Sequence, residues 1–274
     1  MSLSKHYAGS RAFLVVTTEA PCLATVTVGR STAVTFPLAM RTDAFAADVD
    51  LPSCFGDRAF AVYGTDGELH VYSAAAKMLL ATVPAPGPAQ SAYFHPAHPT
   101  ATTWLVHPSS PAGEDRPLLV MGCRDGSLAF RRCDGRTRLF TSLNVVAADS
   151  DEAAPTKALA LPHASGHVWG VVGTFAVPGM PGWIHLAASD ERRVYVVALR
   201  LSDDGNVVYC NTPVALGDGT RRPQWLPAGV LLVKSPDGAL RYEFLRAGHW
   251  VGVRAEDGRP TAAEEDAAES DADH

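Results

Sequence analysis

Residues 60–72 read Phe60-Ala-Val-Tyr-Gly-Thr-Asp66-Gly67-Glu-Leu-His-Val-Tyr72. A run of apolar residues meets Asp-Gly, and a second such run follows. Asp-Gly supplies the positive φ of a tight hairpin turn. The Val, Phe and Tyr on either side suit strands. The pattern returns in Leu118-Leu-Val-Met-Gly-Cys-Arg-Asp125-Gly126-Ser-Leu-Ala-Phe130, in Ile184-His-Leu-Ala-Ala-Ser-Asp190-Glu-Arg-Arg-Val-Tyr-Val-Val197 and in Val230-Leu-Leu-Val-Lys-Ser-Pro-Asp237-Gly238-Ala-Leu-Arg-Tyr242. A looser copy is Phe13-Leu-Val-Val-Thr-Thr-Glu19-Ala-Pro-Cys-Leu-Ala-Thr-Val-Thr-Val28. The turn acids at 19, 66, 125, 190 and 237 are spaced by 47, 59, 65 and 47 residues. A lone hairpin cannot bury both faces of so apolar a strand. Units repeated side by side bury them against one another.

The segments between the anchors fit the same unit. Ala92-Tyr-Phe-His-Pro96 and Arg222-Pro-Gln-Trp-Leu-Pro-Ala-Gly229 read as inner strands with their turns. Residues 78–83 and 137–143 read as outer strands. Residues 84–88, 108–117 and 145–155 are rich in Pro, Ser or acids and read as surface insertions. With 23 glycines and 20 prolines, few windows hold three helical turns. The best helix window, residues 74–80, is too short to stand alone. The sequence therefore predicts an all-β chain.

Residues 60–83 and 118–143 resemble WD40-type β-propeller blades, with a strand, an Asp-Gly turn and two further strands. Phe94-His95-Pro96 is similar to the end of a WD40 inner strand. The resemblance covers most of residues 11–254 as a repeat, and it is degenerate. Val71-Tyr72-Ser73 and Ala129-Phe130-Arg131 stand where a Trp-Asp pair closes the third strand. Gly166-His167 and Gly248-His249 lack the matching Asp-Trp-Asp arrangement, so the WD40 hydrogen-bond tetrad does not carry over. Asp134-Gly135-Arg136 gives a weaker likeness to quinoprotein repeats. The resemblance implies a propeller of about five to seven blades. In it, residues 11–16 would pair with residues 249–254 to seal the ring. Paired β-sandwiches are the alternative.

The net charge of −6 is unevenly spread. From residue 255 to 274, eight acids face one arginine, which leaves −7 there and +1 on the residues before it. That composition predicts a disordered acidic tail over 255–274. Residues 1–10 are expected to be a flexible N-terminus. Charged residues make up 19% of the chain, below the usual quarter, which excludes a disordered polyelectrolyte or a basic nucleic-acid tail. Cys22, Cys54, Cys123, Cys133 and Cys210 are odd in number and form no CxxC pair. They point to reduced thiols rather than a disulfide framework or a zinc site. The longest apolar stretch, around residues 168–188, is broken by glycines and prolines, so no membrane span is expected. The expected location is intracellular, cytoplasmic or nuclear, with mitochondrial import left open by Lys5, Arg11 and the absence of acids before Glu19.

Few residue patterns carry chemistry. His95, His98 and His107, and also His163 and His167, cluster in sequence, but no carboxylate lies near the first group to orient its rings. They read as turn and loop histidines. Nucleophile-elbow and phosphate-loop motifs are missing, and Gly217-Asp-Gly219 and the Asp203-Asp204 and Asp149/Asp151 pairs read as turns. Arg124, Arg131, Arg132, Arg136 and Arg138 gather on one proposed blade, a candidate contact for RNA or an acidic protein. Strand alternation can split them over two faces. Among the tryptophans, Trp183 follows a Gly- and Pro-rich loop and is the best candidate interface anchor. The expected function is a non-catalytic scaffold that binds other proteins in an intracellular complex, with no catalytic residue, metal or cofactor assigned. The alternatives are an RNA-associated subunit using the arginines, and a propeller hydrolase or lyase using His95, His185 or Asp204 near a central channel.

Overall fold

The computed structural model describes residues 2–6, 12–19, 21–28, 32–40, 43–56, 58–85, 98–106, 116–148, 154–162, 164, 166–175, 177, 182–190, 192–218, 223–235 and 237–255. The chain is all-β. Among the described residues there is no α-helix, and none long and apolar enough to cross a membrane.

The strands form five separate sheets. The first holds β1 (Ser2–His6), β2 (Ala12–Thr17), β3 (Leu23–Val28) and β4 (Thr32–Pro37). The second holds β5 (Ala44–Asp48), β6 (Ala59–Gly64), β7 (Leu69–Ser73) and β8 (Met78–Val83). The third holds β9 (Pro99–Leu105), β10 (Leu118–Cys123), β11 (Ser127–Cys133) and β12 (Phe140–Ser142). Next along the chain, β13 (Asn144–Ala147) joins the fourth sheet, while β14 (Ala158–Ala160) pairs with β11. The rest of the fourth sheet is β15 (Gly170–Thr174), β16 (Ile184–Ser189), β17 (Arg193–Leu201), β18 (Val207–Cys210) and β19 (Val214–Asp218). The fifth holds β20 (Gln224–Trp225), β21 (Leu231–Lys234), β22 (Leu240–Arg246) and β23 (His249–Ala255). Neighbouring strands are antiparallel except β13 and β18.

Each anchor acid sits in a turn at the middle of one sheet, between β2 and β3, β6 and β7, β10 and β11, β16 and β17, or β21 and β22. Gly67, Gly126 and Gly238 take φ of 79°, 80° and 90°, the conformation Asp-Gly was expected to supply. Asp190 has no glycine after it. Its Oδ1 instead accepts the backbone N–H groups of Arg192 and Arg193, both at 2.7 Å, and holds the turn through its side chain.

The sheets pack in chain order. One apolar layer joins the first and second sheets through Leu14, Val26, Phe36, Phe60 and Tyr72. Another joins the second and third through Leu69, Val71, Leu119 and Met121. Leu118, Phe130, Leu186 and Leu199 join the third and fourth. Ala187, Val196, Leu231 and Val233 join the fourth and fifth. The middle sheets are therefore covered on both faces, and β6, β10 and β16 are buried at every residue. That is why their sequences lack alternation. β21 at the chain's far end does alternate, with Leu231 and Val233 buried and Lys234 exposed. Gly122 lets the third and fourth sheets close up: a Cβ there would lie 2.4 Å from a Val168 methyl.

Several expectations change. Residues 2–6 form β1 by backbone pairing along β2, a signal that side-chain composition does not carry. β2 lies between β1 and β3, so both its edges are filled and it does not pair with residues 249–254. Ala255 pairs with Leu240 inside β23, so the acidic tail starts no earlier than Glu256 and lies outside the described residues. The helix window at 74–80 is a turn followed by β8, with Lys77 at φ 53°. The insertion at 145–155 begins as strand, because β13 crosses to pair with β18. All five cysteines are free thiols, and all but Cys54 are buried.

Candidate functional site

Edge strands of the second, third, fourth and fifth sheets line a cavity of about 470 Å³. Asp48 of β5, Thr100 and Thr102 of β9, Val171 of β15 and Gln224 of β20 line it, with Tyr63 from β6. The polar walls are engaged with their neighbours. The Tyr63 and Thr102 hydroxyls share a short hydrogen bond, and the Thr100 hydroxyl donates to the Val168 carbonyl at 2.6 Å. Burial, reinforced by the charge of Asp48, pushes the Tyr63 phenol well above its ordinary range, so it stays protonated.

A second feature lies on the fourth sheet. The β16–β17 register sets Ile184 opposite Leu199, and the β17–β18 register sets Arg200 opposite Tyr209. Trp183, one residue before β16, thereby stands beside Arg200. The exposed Arg200 guanidinium lies 5.8 Å from the Trp183 ring centroid and 5.9 Å from that of Tyr209. Both rings are half-buried. Among the described residues Arg200 makes no ion pair, so its charge remains available while the aromatic faces hold it in place.

The five sequence-selected arginines are not gathered into one patch. Arg131 is buried and its register partner Leu119 belongs to the layer against the second sheet. Burial lowers its pKa from the usual arginine value. Arg132 points the other way, and its guanidinium donates to the Asp204 carbonyl at 2.7 Å in the β17–β18 turn. Arg124 follows β10, and its backbone N–H donates to the His98 carbonyl at 3.0 Å. Arg136 and Arg138 occupy the loop after β11, where the Asp134 carboxylate and carbonyl accept their backbone N–H groups. Trp183 was found by residue type. Arg200 and Tyr209 were missed, since only strand register brings them beside it.

Of the three hydrolase candidates, His185 and Asp204 lie among the described residues. His185 is buried on β16 against the Trp250 ring, and burial alone drives its pKa down to about 4. Asp204 is exposed in the β17–β18 turn, where the Ser202 hydroxyl and Asn206 hold its carboxyl below the usual range. His95 lies outside the described residues, as do His107 and His163. His167 packs edge-on to Trp169, and His98 is buried. No protein-family model matches the chain, and none of the curated proteins compared with it does.

Proposed function

We propose that this chain is a degenerate WD40-like propeller of five blades that acts as a non-catalytic scaffold, binding another protein through the fourth sheet. Five sheets packed in chain order support the propeller, as do the edge strands of four of them lining one cavity. Middle sheets buried on both faces favour it over paired sandwiches, in which each sheet packs on one side only.

The observation that carries the binding role is Arg200 held between Trp183 and Tyr209. Trp, Tyr and Arg are the residue types that dominate interface energetics. A guanidinium already restrained by two rings loses little side-chain freedom on binding. The matching partner surface presents a carboxylate flanked by apolar atoms. The arginines at 124–138 favour RNA less, because they are dispersed over different faces and loops.

The test is capture of partners from the source cell with tagged wild-type, Arg200→Ala and Trp183→Ala proteins, quantified by mass spectrometry. A shared partner should fall at least about tenfold with each variant, the effect of losing roughly 1.4 kcal/mol or more at a hot spot. Equal recovery by all three folded proteins would refute the assignment.

A further inference from the structure

The turn of the second sheet carries more than a turn needs. Asp66, Glu68 and His70 offer two carboxylates and an imidazole whose ligand atoms lie within 4.8 Å of one another. The backbone fixes this group: the Gly64 N–H donates to the Glu68 carbonyl and the Gly67 N–H to the Gly64 carbonyl, both at 3.0 Å. Asp66 Oδ1 accepts the Glu68 N–H at 3.0 Å, which turns its carboxylate toward the start of β7. Glu68 and His70 are two residues apart, the spacing that puts strand side chains on one face.

His70 is the informative member. It is 7% exposed, and neither ring nitrogen has a hydrogen-bond partner among the described residues. Leaving such a group unsatisfied costs about 1–3 kcal/mol. Its Nε2 faces Glu68 Oε2 at 3.6 Å. That is too long for a hydrogen bond, which closes at about 3.2 Å. It is close to the ~3.4 Å between two ligand atoms that each bind a tetrahedral ion at about 2.1 Å.

We propose that Asp66, Glu68 and His70 form a three-ligand site for a divalent transition-metal ion, with zinc the best match and water in the fourth position. One imidazole and two carboxylates suit zinc. Calcium would need six to eight oxygens. The ion would clamp the second sheet's hairpin beside the cavity. Tyr63, just before the turn, lines that cavity, and so does Pro99, next to the buried His98 that feels the charge of Asp66. By sequence alone, Asp66-Gly67 reads only as a turn. The fold supplies the burial of His70, which the sequence does not announce.

The test uses the full chain, stripped with chelator and dialysed, then titrated with zinc chloride by calorimetry and with cobalt(II) by visible absorption. Wild-type protein should bind one zinc per chain and give the absorption of four-coordinate cobalt. The Asp66→Asn/Glu68→Gln double variant keeps the shape of the turn and the acceptor for the Glu68 N–H. It should bind at least about tenfold more weakly and lose the cobalt spectrum. His70→Gln should do the same. Absence of zinc binding by wild-type protein would overturn the proposal. So would unchanged affinity in the folded double variant, which would assign the metal to other groups such as the acids after residue 255.

Discussion

Replacing Arg241 should expose how strongly the fifth sheet depends on one buried charge pair. Arg241 and Glu243 lie on the face of β22 that meets the fourth sheet. The Arg241 Nε contacts Glu243 Oε1, and Nη2 donates to the Leu216 carbonyl of β19 at 2.9 Å. The Glu243 side chain is only 4% exposed and that of Arg241 20%. Gly252, opposite Glu243 in the register, leaves room for the carboxylate, since a Cβ there would lie 2.7 Å from Oε1. Arg241→Met strands that carboxylate without its partner. Breaking a buried pair costs about 3–5 kcal/mol, and the partial exposure of Arg241 favours the lower end. For a chain of this size about 3 kcal/mol lowers Tm by roughly 6–12 °C. Calorimetry or circular-dichroism melting at pH 7 reads this directly.

The pH dependence adds a second arm. Burial raises the Glu243 pKa in the folded protein even with Arg241 present. A carboxyl raised on folding favours the folded state most below its unfolded pKa of about 4.3, and that contribution is lost as pH rises through the folded pKa. Without Arg241 the rise is larger. The Arg241→Met deficit should therefore shrink as pH falls from 7 toward 4, where Glu243 is protonated. Arg241→Met/Glu243→Leu, which removes both charges, should return within about 1 kcal/mol of wild type. An Arg241→Met Tm within about 1 °C of wild type at pH 7, or a deficit that does not narrow on acidification, would refute the reasoning.

Other outcomes follow from single contacts. His185, driven down to about 4, contributes stability that is present above its unfolded pKa of about 6.5 and is lost as pH falls through 4. Denaturant titrations at pH 7 and 4 should show His185→Leu losing on the order of 3 kcal/mol less stability on acidification than wild type. Gly122→Ala should cost about 1–3 kcal/mol in a melting experiment, because its Cβ would overlap Val168 between the third and fourth sheets. Deleting residues 256–274 should leave Tm within about 1 °C, whereas ending the chain before β23 should unfold the fifth sheet, since β22 pairs with β23 along its whole length.

The anchors at 66, 125 and 237 were readable because Asp-Gly turns beside apolar runs are local signals. Phe60–Tyr72 and Leu118–Phe130 proved to be the hairpins their residues suggested. What sequence left hidden was non-local. The parallel pairing of β13 with β18 joins residues more than 60 positions apart, and Asn144–Ala147 has nothing in its composition to announce it. Arg200 becomes interesting only when register sets it between Trp183 and Tyr209. His70 reads as one more strand residue until its burial against Glu68 is known. The arginine run at 124–138 misled in the opposite way, because adjacency along the chain sends Arg131 and Arg132 to different sheets.

If the five sheets close a ring as proposed, the first and fifth sheets are neighbours. Spin labels at Leu23→Cys on β3 and Lys234→Cys on β21, both exposed positions, measure that separation by pulsed electron resonance in a Cys54→Ser background. Packed sheets lie about 10 Å apart, so neighbouring blades with label arms should give a distance below about 30 Å, while five sheets in an open row would separate the ends by about 40 Å. A distribution centred below about 30 Å is the predicted result, and one centred above it would contradict the ring.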